Sequence, residues 1–200
     1  MATIYDLKPA FQNFLRPIVR ALAHTGVTPN QITYAALALS FIAGGAVALT
    51  HGAIWTLLSI PAVMFMRMAL NAIDGMLAKE HDMKSDAGAM LNEMSDVLSD
   101  AALYLPFALI GGVSALWVVL FVIMAILTEM AGVLGALIGG VRRYDGPMGK
   151  SDRAFVIGAL SLALGLGILP DGWFDAIMIV ATLMGGWTVL RRSVRGLASW

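Results

Sequence analysis

Residues 71–100 read NAIDGMLAKEHDMKSDAGAMLNEMSDVLSD and are far more polar than the chain around them. Acids and amides recur in this stretch at Asn71, Asp74, Asp86, Asn92, Glu93, Asp96 and Asp100. Burying such groups costs free energy unless each is hydrogen-bonded, paired with an opposite charge or bound to a cation. The partner that compensates these side chains is therefore the main clue to function.

The polar residues fall on two predicted helical faces. The first face carries Asn71, Asp74, Gly75 and Ala78. The second carries Gly88, Asn92, Asp96 and Asp100, four residues apart, so each lies about 6 Å along the helix from the last. Since only residues 79–86 or so connect the two helices, we expect antiparallel neighbours whose polar faces converge.

The composition indicates a membrane protein. The chain has 200 residues, of which 59% are hydrophobic and 13% charged, whereas soluble domains carry about 25% charged residues. The absence of cysteine excludes disulfides and thiolate metal sites. Basic and acidic residues number 13 each and form no basic tract, so we expect no nucleic-acid partner.

Apolar segments long enough to cross a bilayer, about 20 residues each, predict six transmembrane helices. We place them near residues 32–50, 54–77, 88–110, 115–138, 154–169 and 173–190. The predicted fold is an all-α integral membrane protein, one domain over residues 1–200 with a six-helix bundle over residues 32–190.

Charge placement predicts the orientation. Twelve of the 13 Lys and Arg residues lie before the first span, in alternate loops or after the last span. By the positive-inside rule, these loops and both termini are cytoplasmic. The thirteenth, Arg67, lies inside the second span, four residues before Asn71 and on its face. We expect Arg67 to serve the site; the alternative is an Arg that snorkels to the interface.

Residues 3–23 predict an amphipathic helix that lies in the cytoplasmic interface. Its apolar residues recur at helical spacing as Ile4, Leu7, Phe11, Phe14, Leu15, Ile18 and Leu22. Pro9 and Pro17 are expected to bend or divide it. Packing of this helix against the bundle is compatible with the same pattern.

The converging acids favour a cation site. Crowded carboxylates repel each other and take up protons unless a cation holds them. Oxygen ligands suit Mg²⁺, Mn²⁺ or Ca²⁺, and Mg²⁺ typically binds one or two carboxylates plus substrate phosphates. Gly75 and Gly88 leave room for close approach of a ligand or a helix. The alternative is a hydrogen-bond network between helices with no ligand.

The spaced pattern resembles a family signature. The chain reads Asn71-x2-Asp74-Gly75-x2-Ala78-Lys79, eight residues, then Gly88-x3-Asn92-x3-Asp96. The CDP-alcohol phosphotransferase (CDP-alcohol phosphatidyltransferase) family carries D-x2-D-G-x2-A-R, about eight residues, then G-x3-D-x3-D. The spacing is the same, and Asn71, Lys79 and Asn92 depart from the residue types. The chain resembles most the small, YnbA-like bacterial branch.

The resemblance implies a reaction and its residues. A phosphatidyl-type group would pass from a CDP-linked lipid, such as CDP-diacylglycerol, to an acceptor alcohol, and CMP would leave. Asp96 would be the catalytic base, and the cofactor would be Mg²⁺ or Mn²⁺. The resemblance implies a two-metal site, whose ligands would be Asn71, Asp74, Asn92 and Asp96, with Asp100 as a supplement. The implied nucleotide-binding residues are Thr28, Pro29, Asn30, Asp74, Gly75, Ala78, Lys79 and Gly88.

The resemblance also implies the acceptor site and the setting. The residues expected to bind the acceptor or its phosphate are Arg67, Arg142, Arg143, Lys150 and Arg153. Ordinary positive-inside charge would explain the last four equally simply. Glu129 would pair with Arg67 or line the acceptor pocket. The protein is expected to be a homodimer in the bacterial inner (cytoplasmic) membrane, among membrane lipids, with its active site near the cytoplasmic face.

Two other functions fit parts of the pattern. Asn71 and Asn92 remove two negative charges, as expected of a degenerate family member that binds CDP-lipid or metal without efficient turnover. A small ion or solute carrier would use the same acids as a cation pathway. A carrier should, however, carry polar residues through the membrane midplane, whereas these concentrate towards one surface.

Overall fold

The computed structural model of this chain describes residues 4–140 and 142–197, with the side chains of all these residues except 4–8 and 139. Within those ranges every regular element is helical, which confirms the all-α class. The α-helices are α1 (Ile4–His24), α2 (Pro29–Thr50), α3 (Ile54–Glu80), α4 (Asp86–Tyr104), α5 (Ala115–Gly139), α6 (Lys150–Gly165) and α7 (Trp173–Leu197). A short 3-10 helix, Leu105–Leu109, follows α4.

Four helices in the described part of the chain are long and apolar enough to cross a membrane, namely α2, α3, α5 and α7. In the other two predicted spans, 88–110 and 154–169, the structure has shorter helices, α4 and α6. In the first, Pro106 ends the α-helix and the chain tightens into the 3-10 turn. In the second, α6 has 16 residues and is about 24 Å long, less than a hydrocarbon core of about 30 Å. Six spans, cytoplasmic termini and a single domain stay predictions.

The described residues form two compact units, of which the first comprises residues 4–40 and 62–99. Its apolar core contains Leu15, Val19, Ile32, Ile73, Met76 and Leu77, from α1, α2 and α3. Phe14 and Ile18 on α1 remain exposed, so this helix both packs on the unit and presents an apolar face outward. The helix continues through Pro9 and Pro17. Residue 3, its predicted start, lies outside the described residues.

Two contacts fix the ends of helices in this first unit. Thr28 and Gln31 form a capping box at the start of α2, because each backbone N–H is bonded by the other side chain, at 2.9 and 3.4 Å. Arg16 on α1 donates hydrogen bonds to both carboxylate oxygens of Glu80 at the end of α3, at 3.0 and 3.1 Å. This pair is partly exposed and adds little stability, yet it fixes where α1 lies against α3.

The second unit comprises residues 41–61 and 100–197. Here α5 packs against α7 and the 3-10 helix. Aromatic pairs fill the contact: the rings of Phe107 and Phe174 stack at 5.9 Å between centroids, and those of Tyr104 and Phe121 meet at 5.8 Å. Gly44 faces the backbone of Ala102, where a Cβ would overlap the carbonyl oxygen and lie 2.8 Å from the carbonyl carbon. A Cβ added at the neighbouring Gly45 would meet nothing within 4 Å.

We therefore expect Gly44→Ala to destabilise the protein by roughly 1–3 kcal/mol, because a backbone carbonyl cannot move away as a flexible side chain can. The matched control, Gly45→Ala, adds the same methyl to open space and should be neutral or stabilising by up to about 1 kcal/mol, the helix preference for Ala over Gly. Thermal unfolding of the detergent-solubilised protein measures both. Equal midpoints for the two variants would show that this contact is not formed.

Candidate active site

The two halves of the polar motif meet in the first unit. The amide Nδ2 of Asn71, on α3, donates to Oδ1 of Asp96, on α4, at 3.1 Å. Both side chains are half-buried. Residues 81–85 connect the two helices, so the chain reverses within five residues and the predicted convergence of the two faces is observed. The contact brings a residue from each half of the motif into one site.

Asp74 is held from a third helix. This carboxylate is 6% exposed, and its Oδ2 accepts a hydrogen bond from the Thr33 hydroxyl at 3.0 Å. The same hydroxyl is 3.1 Å from the carbonyl oxygen of Pro29, one turn earlier on α2. Thr33 was not among the site residues predicted from the sequence. Its position four residues after Pro29, on the face of the predicted nucleotide-binding residues, was the available signal.

The two motif glycines have different surroundings. A Cβ on Gly88 would lie 2.9 Å from both Asn30 Oδ1 and Ser85 Oγ, so the missing side chain lets α2 approach the start of α4. Ser85 also accepts the backbone N–H of Gly88 at 3.0 Å, at the first turn of α4. A Cβ on Gly75 would meet nothing within 4 Å. Protein packing therefore explains Gly88 and not Gly75.

Arg67 contacts Asp96. The side chain is buried, and its Nη2 donates to the Asp96 carbonyl oxygen at 3.1 Å and lies 3.7 Å from Asp96 Oδ1. A snorkelling Arg would extend towards the interface, whereas this side chain is directed to Asp96. The other motif residues line the same helices: Asn92 is half-buried on α4, Ala78 is half-buried on α3, and Lys79 is exposed.

A second charged cluster lies in the second unit around Arg153, which is 1% exposed. Nε and Nη2 donate to Asp100 Oδ2 at 3.3 and 2.9 Å, and Nη2 also donates to Glu129 Oε1 at 2.8 Å. Nη1 donates to the Thr128 hydroxyl at 2.8 Å and to the carbonyl of Met148 at 3.0 Å. A guanidinium has five N–H donors, and all five are used here.

This cluster changes how two predicted site residues are interpreted. Asp100 was expected to support the metal, yet its charge is already compensated by Arg153. Arg153 was expected to bind the acceptor, yet its donors are engaged by the protein. Glu129, whose partner the sequence left open, binds Arg153 and also Arg142, whose Nη2 lies 2.9 Å from Glu129 Oε2.

The loop after α5 gathers further arginines. Arg142 stacks on the ring of Tyr144, 5.2 Å from its centroid, and Arg143 donates to the Arg195 carbonyl. Arg195 also donates to Asp145, and this hydrogen bond holds the pKa of that carboxyl below its usual range. Lys150 is the first residue of α6. Arg192, which is buried on α7, was not predicted as a site residue, because its position after the last span is typical of ordinary positive-inside charge.

The donor set near Asp96 fits one hard cation. Within the described residues, no three His, Cys, Asp or Glu side chains lie close enough together to hold a metal. The motif itself supplies two carboxylates, Asp74 and Asp96, and two amides, Asn71 and Asn92. One or two carboxylates, completed by amide oxygens, water and substrate phosphates, are typical of Mg²⁺ sites.

Comparison with known proteins gives this site its context. The family model described as CDP-alcohol phosphatidyltransferase matches residues 26–188, from the turn before α2 to α7. The chain belongs to the CDP-alcohol phosphatidyltransferase family. The predicted resemblance is thereby confirmed, and the protein is a membrane transferase by family rather than a carrier.

Relatives and a solved structure agree with this assignment. Inner membrane protein YnbA of Escherichia coli (strain K12) is 45% identical over 190 residues, 95% of this chain and 94% of that protein. An uncharacterized protein of Aquifex aeolicus (strain VF5) is 33% identical over 109 residues, 52% of this chain and 50% of that protein. Mycobacterium tuberculosis phosphatidylinositol phosphate synthase (PgsA1), crystallised with CDP-DAG bound, shares the fold with a TM-score of 0.75 at 16% identity, over 88% of this chain and 89% of that one.

We predict that the double substitution Asn71→Asp with Asn92→Asp tightens Mn²⁺ binding by about tenfold or more, because each change adds a negative charge beside the cation. Titration of the purified protein with Mn²⁺, read by electron paramagnetic resonance, gives the affinity. Asn13→Asp, the same change at an exposed position on α1, is the control and should leave the affinity unchanged. If the double variant binds no more tightly than wild type, neither asparagine is a ligand.

Proposed function

We propose that this protein transfers a phosphatidyl group from CDP-diacylglycerol, or a similar CDP-linked lipid, to an acceptor alcohol and releases CMP. The observation that carries the proposal is the meeting of Asn71 and Asp96 across the two motif halves, at 3.1 Å, with Asp74 held by Thr33. Family membership supports phosphatidyl transfer, and the CDP-DAG in PgsA1 supports the donor class. We place the reaction at the cytoplasmic face of the inner membrane, in a homodimer.

Asp96 is the proposed base. The Asn71 amide and the Arg67 guanidinium approach Oδ1 from one side and so fix the orientation of the carboxylate. The acceptor hydroxyl gives its proton to Asp96 as its oxygen attacks the β-phosphorus of the donor. A phosphodiester forms, and the bond between that phosphorus and the CMP oxygen breaks.

The divalent cation belongs with the same residues. The oxygens of Asp74 and Asp96, with the amide oxygens of Asn71 and Asn92, would hold it. When bound, Mg²⁺ or Mn²⁺ would neutralise the diphosphate and the charge that develops on the departing CMP. Because the Asn71 nitrogen faces Asp96, its carbonyl oxygen points away from that carboxylate.

The open space at Gly75 supports a nucleotide site. A glycine inside a helix costs about 1 kcal/mol relative to alanine, so it is expected where something must approach the backbone. Among the described residues, neither a side chain nor another helix comes within 4 Å of a Cβ added at Gly75. We propose that the cytidine diphosphate fills this space, beside Ala78 and Lys79 on α3. Thr28, Pro29 and Asn30 at the start of α2, and Gly88 on α4, are proposed to complete the site.

The acceptor alcohols that fit the reaction are serine, glycerol 3-phosphate, inositol phosphate, another alcohol or a second lipid. We retain Arg142, Arg143 and Lys150 as proposed acceptor ligands. The contacts of Arg67 and Arg153 assign these two to Asp96 and to the Asp100–Glu129 pair instead.

The test is CMP release from CDP-diacylglycerol by the purified protein, with Mg²⁺ or Mn²⁺ and a panel of acceptor alcohols, with products identified by mass spectrometry. We expect acceptor-dependent release, and Asp96→Asn should lower the rate by about 10²–10⁴-fold, the usual contribution of a general base. Asp171→Asn, in the loop between α6 and α7, is the charge-matched control. Near-normal turnover in Asp96→Asn would refute the base assignment.

A second candidate function is tested by the same experiment. If no acceptor gives CMP although CDP-diacylglycerol binds, the protein is a CDP-lipid-binding member without efficient turnover. The two asparagines favour that alternative, because neutral ligands hold a divalent cation more weakly than carboxylates.

Gly75→Ala tests the nucleotide site separately. The methyl enters space that the protein leaves open, so stability should be unchanged or higher by up to about 1 kcal/mol. The affinity for CDP-diacylglycerol should fall, since the methyl and the nucleotide compete for that space. Binding to the detergent-solubilised protein measures this, with Gly45→Ala as the matched control in α2. Unchanged affinity in Gly75→Ala would place the nucleotide elsewhere.

A further inference from the structure

We propose that this site binds one divalent cation rather than two, and that the Arg67 guanidinium supplies beside Asp96 the positive charge that a second cation would supply. The inference rests on the proposed function, because it concerns the same site. It makes Arg67 a positioning residue for the Asp96 carboxylate rather than an acceptor ligand.

The charges in the site limit the number of cations. The four motif positions carry two carboxylates, Asp74 and Asp96, and two neutral amides. Two divalent cations would bring four positive charges to these two carboxylates, beside a buried guanidinium that adds a fifth, and the donor diphosphate would offset only about two of them. Positive charges that share one small, partly buried site repel each other strongly. Within the part of the chain that the structure describes, no group of three acids or histidines gathers to offset that repulsion.

The position of Arg67 is fixed by two contacts to one residue. Its Nη2 donates to the Asp96 backbone carbonyl at 3.1 Å and lies 3.7 Å from the Asp96 carboxylate oxygen Oδ1. The side chain is 4% exposed, so water screens this charge little. Arg67 also lies one turn before Asn71 on α3, so both side chains reach α4 from the same face.

The Asn71 amide acts on the same oxygen. Its Nδ2–H donates to Asp96 Oδ1 at 3.1 Å. An ionised carboxylate only accepts hydrogen bonds, so the amide turns its nitrogen, not its oxygen, towards Asp96. A cation at this carboxylate oxygen would have to displace that N–H. The amide and the guanidinium together therefore occupy Asp96 Oδ1 and oppose a second cation there.

This arrangement makes the charge beside Asp96 permanent. An arginine stays protonated at any physiological pH and cannot dissociate, unlike a weakly held metal ion. Activity should therefore depend on the occupancy of one cation site. Asp74 and Asp96, with the amide oxygens of Asn71 and Asn92, suit that one cation together with the donor diphosphate.

The first test counts the bound cations. The full-length protein in nanodiscs is titrated with Mn²⁺ in the presence of CDP, and electron paramagnetic resonance gives the stoichiometry and any coupling between manganese spins. We expect one Mn²⁺ per chain and no coupled pair. Two ions per chain, a coupled pair, or no bound ion would overturn the inference.

CMP release from CDP-diacylglycerol, measured on the same sample, separates the two proposals. Release with two bound ions would leave the proposed function standing and overturn only the inference. One bound ion without release for any acceptor would overturn the transferase proposal and support the cation count.

The second test changes the charge of residue 67. Arg67→Gln removes the competing positive charge, so Mn²⁺ binding should tighten by about tenfold while CMP release falls. Arg67→Lys keeps the charge and should bind Mn²⁺ with nearly wild-type affinity. A merely structural arginine would give weaker or unchanged binding in Arg67→Gln, and that result would overturn its role as the second charge.

A combined variant extends the test and does not depend on how well the single glutamine variant folds. Arg67→Gln together with Asn71→Asp and Asn92→Asp restores four carboxylates and removes the guanidinium. This variant should bind two Mn²⁺ ions per chain. If it still binds one, the residues named here do not set the number of cations.

Discussion

The Asp96 carboxylate, held from α3 by the Asn71 amide and the Arg67 guanidinium, is the contact on which the candidate site depends. It joins the two halves of the motif, sets the direction in which the carboxylate faces, and places a fixed positive charge beside it. A charged group away from water is tolerated only when such partners are present. Gly88 contributes to the same site, because the absence of a side chain there lets Asn30 of α2 pack closely against α4.

The charged cluster in the second unit meets the same physical requirement with a different set of residues. There the arginine is central and the acids surround it: Arg153 uses all five of its donors on Asp100, Glu129, Thr128 and Met148. The first cluster brings together amide and carboxylate oxygens, which are the ligands that a hard cation prefers. The second leaves none of the Arg153 donors for a ligand. This difference is why we assign chemistry to Asp96 and a structural role to Arg153.

Spacing in the sequence predicted the helices and the meeting of Asn71 with Asp96, because helical periodicity directly dictates which side chains share a face. It predicted the all-α class for the same reason. It did not predict where α4 ends, since the 3-10 turn depends on packing around Pro106 and Phe107. Spacing also could not predict the partners of Arg67 and Glu129, because an arginine side chain can reach several acids and only the packing of the helices selects one. Thr33 was missed because a hydroxyl carries no charge pattern.

The cluster around Arg153 also bears on how the chain is assembled during synthesis. Asp100, Glu129 and Arg153 come from three successive helices, α4, α5 and α6. Arg153, which carries the positive charge, is therefore synthesised last. An acid away from water is costly until an opposite charge pairs with it. Until α6 emerges from the ribosome, neither acid has this arginine. The cluster can therefore close only after α6 has been synthesised, so α4 and α5 should reach their final packing after α6 joins them.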